Sequence, residues 1–252
     1  SLLQSTVWRR LRNLLAGRLS AVTDPLGAFA VRGVPSRIRG GGRQDPRRRL
    51  PMARRLPTFR AMILQIRPFV APGFGENGYI VWRDGAATAV AIDPGNSVAP
   101  MLQLLADEGL QIAAVLLTHA HLDHVEGVAR LVGETSAPVY LHPADRFLYD
   151  HVAQQAQQFG MRVDPLPDIS RPLEHDQQLS IGDVTYHVLH APGHSPGHVL
   201  FHVPDADCAF VGDVVFQGSI GRSDLPGGDF TQLIESIRAQ VLSMPDDTTL
   251  YP

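Results

Sequence analysis

Ile112-Ala113-Ala114-Val115-Leu116-Leu117-Thr118-His119-Ala120-His121-Leu122-Asp123-His124 is the stretch from which the rest of the chain can be read. Its first half, Ile112 to Leu117, is short and continuously apolar, the pattern of a β-strand covered on both faces. Its second half sets three histidines and an aspartate within six positions. His119 and His121, two apart in extended chain, project to one side. Asp123 and His124 fall where a helix begins, so their side chains turn back over the same spot. Imidazole and carboxylate at this density suit zinc, iron or manganese far better than calcium. A single such cluster also fits a solvated histidine-rich turn, so the reading needs support from elsewhere in the chain.

On the N-terminal side of this stretch, Met62 to Val70, Tyr79 to Trp82 and Thr88 to Ile92 read as strands, the third closed by Asp93-Pro94-Gly95. Val98, Met101, Leu102 and Leu105 recur at helical spacing, and Gly109 supplies a stop. On the other side of the cluster, the pattern predicts a helix from about Asp123 to Val132 and a strand from Val139 to Leu141. Further strands are expected at Tyr186 to Leu189, Val199 to Val203 and Cys208 to Val211, with another starting at Thr248. Phe230, Leu233, Ile234, Ile237 and Val241 outline a last amphipathic helix with Asp229 as its N-cap. Strand groups at both ends with helices between them describe an α/β layered domain.

Two more segments at strand ends support the metal reading. Ala191-Pro192-Gly193-His194-Ser195-Pro196-Gly197-His198 places His194 in a glycine-rich turn where backbone approaches closely. Val211-Gly212-Asp213 ends another strand with a carboxylate able to bridge two metals. Each alone is weak, since an aspartate after a strand is commonly a turn former; together the three make a site.

His-x-His-x-Asp-His, a later Gly-His turn and then Gly-Asp resemble the signature of the metallo-β-lactamase superfamily, from about Met62 to the end of the chain. The resemblance implies an αββα sandwich, two mixed sheets flanked by helices. It also implies His119, His121 and His194 on one metal, Asp123 and His124 on a second, and Asp213 between them. Gly193 to His198 and Gly212 to Asp224, with Leu225-Pro226-Gly227-Gly228-Asp229, are similar to the short bacterial forms of the glyoxalase II (hydroxyacylglutathione hydrolase) branch. A cysteine in place of Asp213 would have favoured the zinc β-lactamases. The family's seventh ligand, a histidine in a Pro-Gly-His turn, has no counterpart before the chain stops at Tyr251-Pro252. The domain is therefore expected to be C-terminally truncated, a fragment with weaker binding on the Asp123/His124 side.

What the resemblance implies chemically is a binuclear thioester hydrolase, with two divalent cations, zinc foremost and iron or manganese as alternatives. Hydroxide generated at the metals would attack S-lactoylglutathione or a similar acyl-glutathione, with Asp123 orienting the nucleophile. Arg222 is a candidate for a substrate carboxylate, because the chain contains no lysine. His142, just after its strand, is a second substrate-binding candidate, and His198 is expected to orient the loop rather than to ligate. His151, His175, His187, His190 and His202, with Tyr140, Tyr149 and Cys208, read as surface or packing residues. The alternative within the same fold is a mononuclear-iron persulfide dioxygenase using His119, His194 and Asp213, with a lactonase or lactamase behind it.

Composition divides the chain elsewhere. Residues 1–61 carry 14 of the 22 basic residues and two acids, Asp24 and Asp45, whereas residues 62–252 carry a net charge of −15. The first segment reads as an Arg-rich, disordered extension lying outside the hydrolase domain of 62–252. Non-native translated upstream sequence, an organelle transit peptide and a polyanion-binding arm are all open readings of it. No run approaches the roughly 20 apolar residues of a membrane span. One cysteine rules out a disulfide framework and any multi-thiolate zinc site, and points to a reducing compartment, the cytoplasm. A small-molecule partner is expected, and neither nucleic acid nor membrane.

Overall fold

The structure, a computed structural model, describes residues 63–252; the readings made for residues 1–61 lie outside it. The first half of the domain contains β1 (Leu64–Val70), β2 (Asn77–Arg83), β3 (Thr88–Ile92), α1 (Val98–Glu108) and β4 (Gln111–Leu116). After these come α2 (Leu122–Val125), α3 (Val128–Thr135), β5 (Val139–Leu141), α4 (Arg146–Asp150), α5 (Val152–Gln158) and β6 (Arg171–Pro172). The second half begins with β7 (Gln178–Ile181), β8 (Val184–His190), β9 (Val199–Val203) and β10 (Cys208–Phe210). It closes with β11 (Val215–Phe216), β12 (Ser219–Ile220), α6 (Phe230–Ser236) and β13 (Thr249–Tyr251).

Apart from the small β11–β12 hairpin, these strands sort into two sheets, which with the helices on their outer faces make four layers. In β2, Tyr79 and Val81 face the second sheet while Ile80 and Trp82 face the helices; along β4, Ala114 and Leu116 point inward, and Val115 and Leu117 outward. Every one of these positions is apolar because both faces are covered. The first sheet has the order β1-β2-β3-β4-β5-β6, antiparallel through β3 and parallel beyond it. The second has the order β13-β10-β9-β8-β7, antiparallel except for the β10–β13 pair. Between them Leu116 meets a layer that includes Tyr186, Phe201 and Phe210. Leu116 is fully buried, and its truncation to alanine would cost about 2–5 kcal/mol. Met101, Leu105 and Leu131 cover the outside of the first sheet, and Leu233, Ile237 and Val241 that of the second. The α/β sandwich expected from the sequence is the observed architecture.

Three details differ from expectation. The helix expected from Asp123 to Val132 is two, α2 and α3, broken at Gly127. There the backbones cross so closely that a Cβ on Gly127 would lie 1.8 Å from the Gly95 carbonyl oxygen, so the break is imposed by a tertiary contact. The last amphipathic helix passes after Ser236 into a π-helical turn, Ile237–Val241. Finally, residues 143–158 form a 3₁₀ turn and two short helices, which no strong apolar stripe announced. Among the described residues no helix is long and apolar enough to cross a membrane.

Candidate metal centre

The six residues expected to bind metal gather at one end of the sandwich, four from the turn after β4, His194 from the β8–β9 turn, and Asp213 from the turn after β10. His121 keeps the extended geometry of the strand (φ −71°, ψ 154°), and α2 starts at the next residue. Two tight groups result, His119/His121/His194 and His119/His124/Asp213. In each, the potential ligand atoms lie within 4.8 Å of one another.

Hydrogen bonds fix which nitrogen is free in two of the rings of the first group, His194 and His119. His194 Nδ1 lies 2.8 Å from the Arg222 carbonyl oxygen, which can only accept, so the ring proton is on Nδ1 and Nε2 presents its lone pair. Thr118 donates its hydroxyl to Asp93 Oδ2 at 2.6 Å, so His119 Nδ1, 3.1 Å from Thr118 Oγ1, is the donor there, and its Nε2 too is free. That His194 Nε2 lies 3.2 Å from His119 Nε2 and 2.8 Å from His121 Nδ1. Burial, followed by mutual repulsion among the rings, holds His119 well below the usual histidine pKa and His121 down to about 3; burial also lowers His194. The first group is therefore three neutral imidazoles with converging nitrogens.

The second group has a different electrostatic character. His124 Nδ1 is 3.1 Å from Asp93 Oδ2, and its Nε2 is 3.4 Å from Asp213 Oδ1 and 3.8 Å from Asp123 Oδ2. Burial alone would lower the His124 pKa, but Asp93, Asp123 and Asp213 outweigh it and raise it well above the ordinary value. Burial acts to raise Asp213, yet its bond to His124 and the surrounding histidines lower it. Asp213 spans both groups, because its Oδ2 lies 3.4 Å from His194 Nε2. Nearby, Glu76 is pushed up to about 7, chiefly by burial, and Glu126 is raised for the same reason.

These donors fit bound metal cations. His124 Nε2, facing Asp213 and Asp123, is buried without a hydrogen-bond partner, a cost that an ion bound there would offset, and His121 brings Nδ1 to the converging nitrogens of the first group. The carboxylate–histidine contact from Asp93 to His124 Nδ1 leaves Nε2 as the ligand atom, an arrangement common behind metal-binding imidazoles.

The remaining candidates are placed as follows. His198 is fully buried, stacks on His119 with ring centroids 4.8 Å apart, and accepts the Asp213 backbone N–H through Nε2 at 3.1 Å. Arg222 touches the centre through its carbonyl; its exposed guanidinium is bidentate to Asp224 at 2.7 and 2.8 Å. His142 stacks on His190, with centroids 4.1 Å apart. Cys208 lies in the core, where burial pushes its thiol up to about 12. Sequence reasoning missed Asp93, which it took as the close of β3. The sequence shows there only an acid in a turn-forming Asp93-Pro94-Gly95; it is the structure that finds it buried, at an unusual φ of 44°. Sequence reasoning also missed Asp145 and Gln155, for which the sequence offers no signal.

The metallo-beta-lactamase superfamily profile matches residues 71–252. The hydroxyacylglutathione hydrolase GloC of Haemophilus influenzae is 36% identical over 193 residues, covering 74% of this chain and 87% of its own. Among solved structures, TTHA1623 in a di-iron-bound form is 42% identical, with a TM-score of 0.66 over 74% of this chain and 90% of that one. BLEG-1, a B3 metallo-beta-lactamase, is 35% identical, with a TM-score of 0.67 over 72% and 87%.

Proposed function

The chain belongs to the metallo-β-lactamase superfamily, in its glyoxalase II-like branch, and is a metal-dependent hydrolase; from that premise we propose that it hydrolyses the thioester of S-lactoylglutathione or a similar acyl-glutathione with two divalent cations. The observation that carries the proposal is Asp213, whose two oxygens reach one toward each ligand group around the shared His119. His119, His121 and His194 would hold one cation, Asp123 and His124 the other, with Asp213 between. Zinc suits this donor set, with iron or manganese as alternatives. Bound cations supply Lewis acidity, bringing the pKa of water to about 7 and polarising a carbonyl.

The chain's own residues do the rest. Asp123, with a quarter of its side chain exposed, orients the attacking water and accepts its proton at Oδ2. The neutral rings of the first group keep their proton on the nitrogen turned away from the centre, as the partners of His119 and His194 dictate. Arg222 exchanges Asp224 for a carboxylate of the glutathionyl moiety, and His142 flanks the acyl group. A thiol leaving group has a pKa of about 8.5, so it departs as thiolate without a strong general acid. A single reducing-compartment cysteine agrees with a cytoplasmic enzyme.

His119, His194 and Asp213 taken alone form a two-histidine–one-carboxylate set, which favours the persulfide dioxygenase as the second reading. The two part cleanly by assay. Purified, metal-loaded protein is expected to release free thiol from S-lactoylglutathione. Oxygen uptake with glutathione persulfide and no thioester cleavage would overturn the hydrolase proposal.

A further inference from the structure

His119 and His121 come from a turn of the first sheet and His194 from a turn of the second, so something must fix the gap between those turns. Asp145, fully buried in the 3₁₀ turn after β5, lies against both. Its Oδ2 accepts from the Ala120 backbone N–H at 3.0 Å and from the Ser195 hydroxyl at 2.7 Å, and its Oδ1 accepts from the Gly197 N–H at 2.5 Å. Ala120 stands between His119 and His121, and Ser195 directly follows His194. The approach is so close that a Cβ on Gly197 would lie 2.8 Å from Asp145 Cγ.

Gln155 of α5 completes the grip from the other side. Its Oε1 accepts from the Leu122 N–H at 3.1 Å, and its Nε2 donates to the Ala120 and Leu148 carbonyls at 3.1 and 2.9 Å. The backbone N–H and C=O of Ala120 and the N–H of Leu122, all flanking His121, are thus held by side chains from residues 143–158.

We infer that Asp145 is a positioning residue which, with Gln155, sets the spacing of the three-imidazole group by tying the His119–His121 turn to the His194 turn. The inference rests on reading those histidines as metal ligands. A carboxylate is needed because all three partners donate. An asparagine offers a single oxygen, and its amide N–H would face another N–H, Gly197's or Ala120's.

Cobalt(II) titration of the full chain, read by visible d–d absorption and by metal content, tests this. Asp145→Asn is expected to weaken the tighter cobalt equivalent about 10–100-fold and to alter its absorption band, with kcat for S-lactoylglutathione falling while KM stays within about twofold. Ser195→Ala and Gln155→Leu, each removing part of the grip, are expected to shift affinity and band in the same direction by less, and they decide the matter if Asp145→Asn does not fold. Leu173→Ala, a core truncation that removes none of these bonds, serves as the stability control. If Asp145→Asn keeps the affinity and spectrum of the unaltered protein, or if Leu173→Ala reproduces its loss at equal melting temperature, the positioning role is overturned. If the unaltered protein itself takes up no cobalt, the metal reading falls, a result distinct from failure of the clamp alone.

Discussion

The two ligand groups share His119 yet are built on opposite principles. The first is three uncharged, buried rings, two of them oriented through neutral partners, the Thr118 hydroxyl for His119 and the Arg222 carbonyl for His194. The second gathers His124 among Asp93, Asp123 and Asp213, with Glu76 and Glu126 close behind. One half is preformed by geometry and would accept a cation with little electrostatic rearrangement. The other gathers carboxylates around His124, and they raise its pKa against the effect of burial. The two groups are thus unlike in charge although they overlap in residues, so perturbations should sort according to which one they touch.

The largest effect is expected where the halves join. Asp213→Ala removes the carboxylate that reaches both groups, and should weaken uptake of both metal equivalents and cut thioester turnover by about three orders of magnitude, equivalent to about 4 kcal/mol in the barrier. Metal analysis after dialysis, run beside the thiol-release assay, checks it. Retention of both equivalents at full affinity would mean that the groups do not depend on a shared carboxylate. Asp93→Asn acts directly on the acidic half through His124 Nδ1, and on His119 only by way of Thr118. It should weaken one metal equivalent by about 10–100-fold and the other by less, in competition with a chromophoric chelator. Equal weakening of both would erase the distinction between the halves.

The smallest effect lies outside both. Burial and then the neighbouring His190 lower His142 from 6.5 to about 4. A histidine depressed in the folded state stabilises the fold above pH 6.5, and that contribution is lost as pH falls through about 4. His142→Phe, which keeps a flat ring on His190, should flatten the decline in melting temperature between pH 6.5 and 4, a shift of a few degrees at most since half of the side chain remains solvated. An unchanged decline would leave His142 without any part in the acid response.

What could be read in sequence follows from the same contrast. Metal ligation demands a few residue types at close spacing, so His119 to His124 was visible, and His194 and Asp213 gained meaning from their places at strand ends. The α/β layering was visible because Tyr79 to Trp82 of β2 and Ile112 to Leu116 of β4 are continuously apolar, as strand segments covered on both faces must be. Asp93, Asp145 and Gln155 were not, because they act by accepting from or donating to backbone groups, and many polar residues do that anywhere on a surface. The break between α2 and α3 was hidden for another reason: it depends on the Gly95 carbonyl, 32 residues upstream of Gly127, crossing there. Four-residue β7, with Gln178 and Ser180 facing solvent, carried too brief a pattern to register.

His119, His121 and His124 belong to one sheet's loops, and His194 and Asp213 to the other's. Anything gripped by all five acts as a rivet across the seam, so folding free energy and cation concentration are linked through mass action. Starved of its ions, the molecule would loosen first at that end, amide hydrogens there exchanging with solvent sooner than those around Tyr186 and Phe201 deep in the seam.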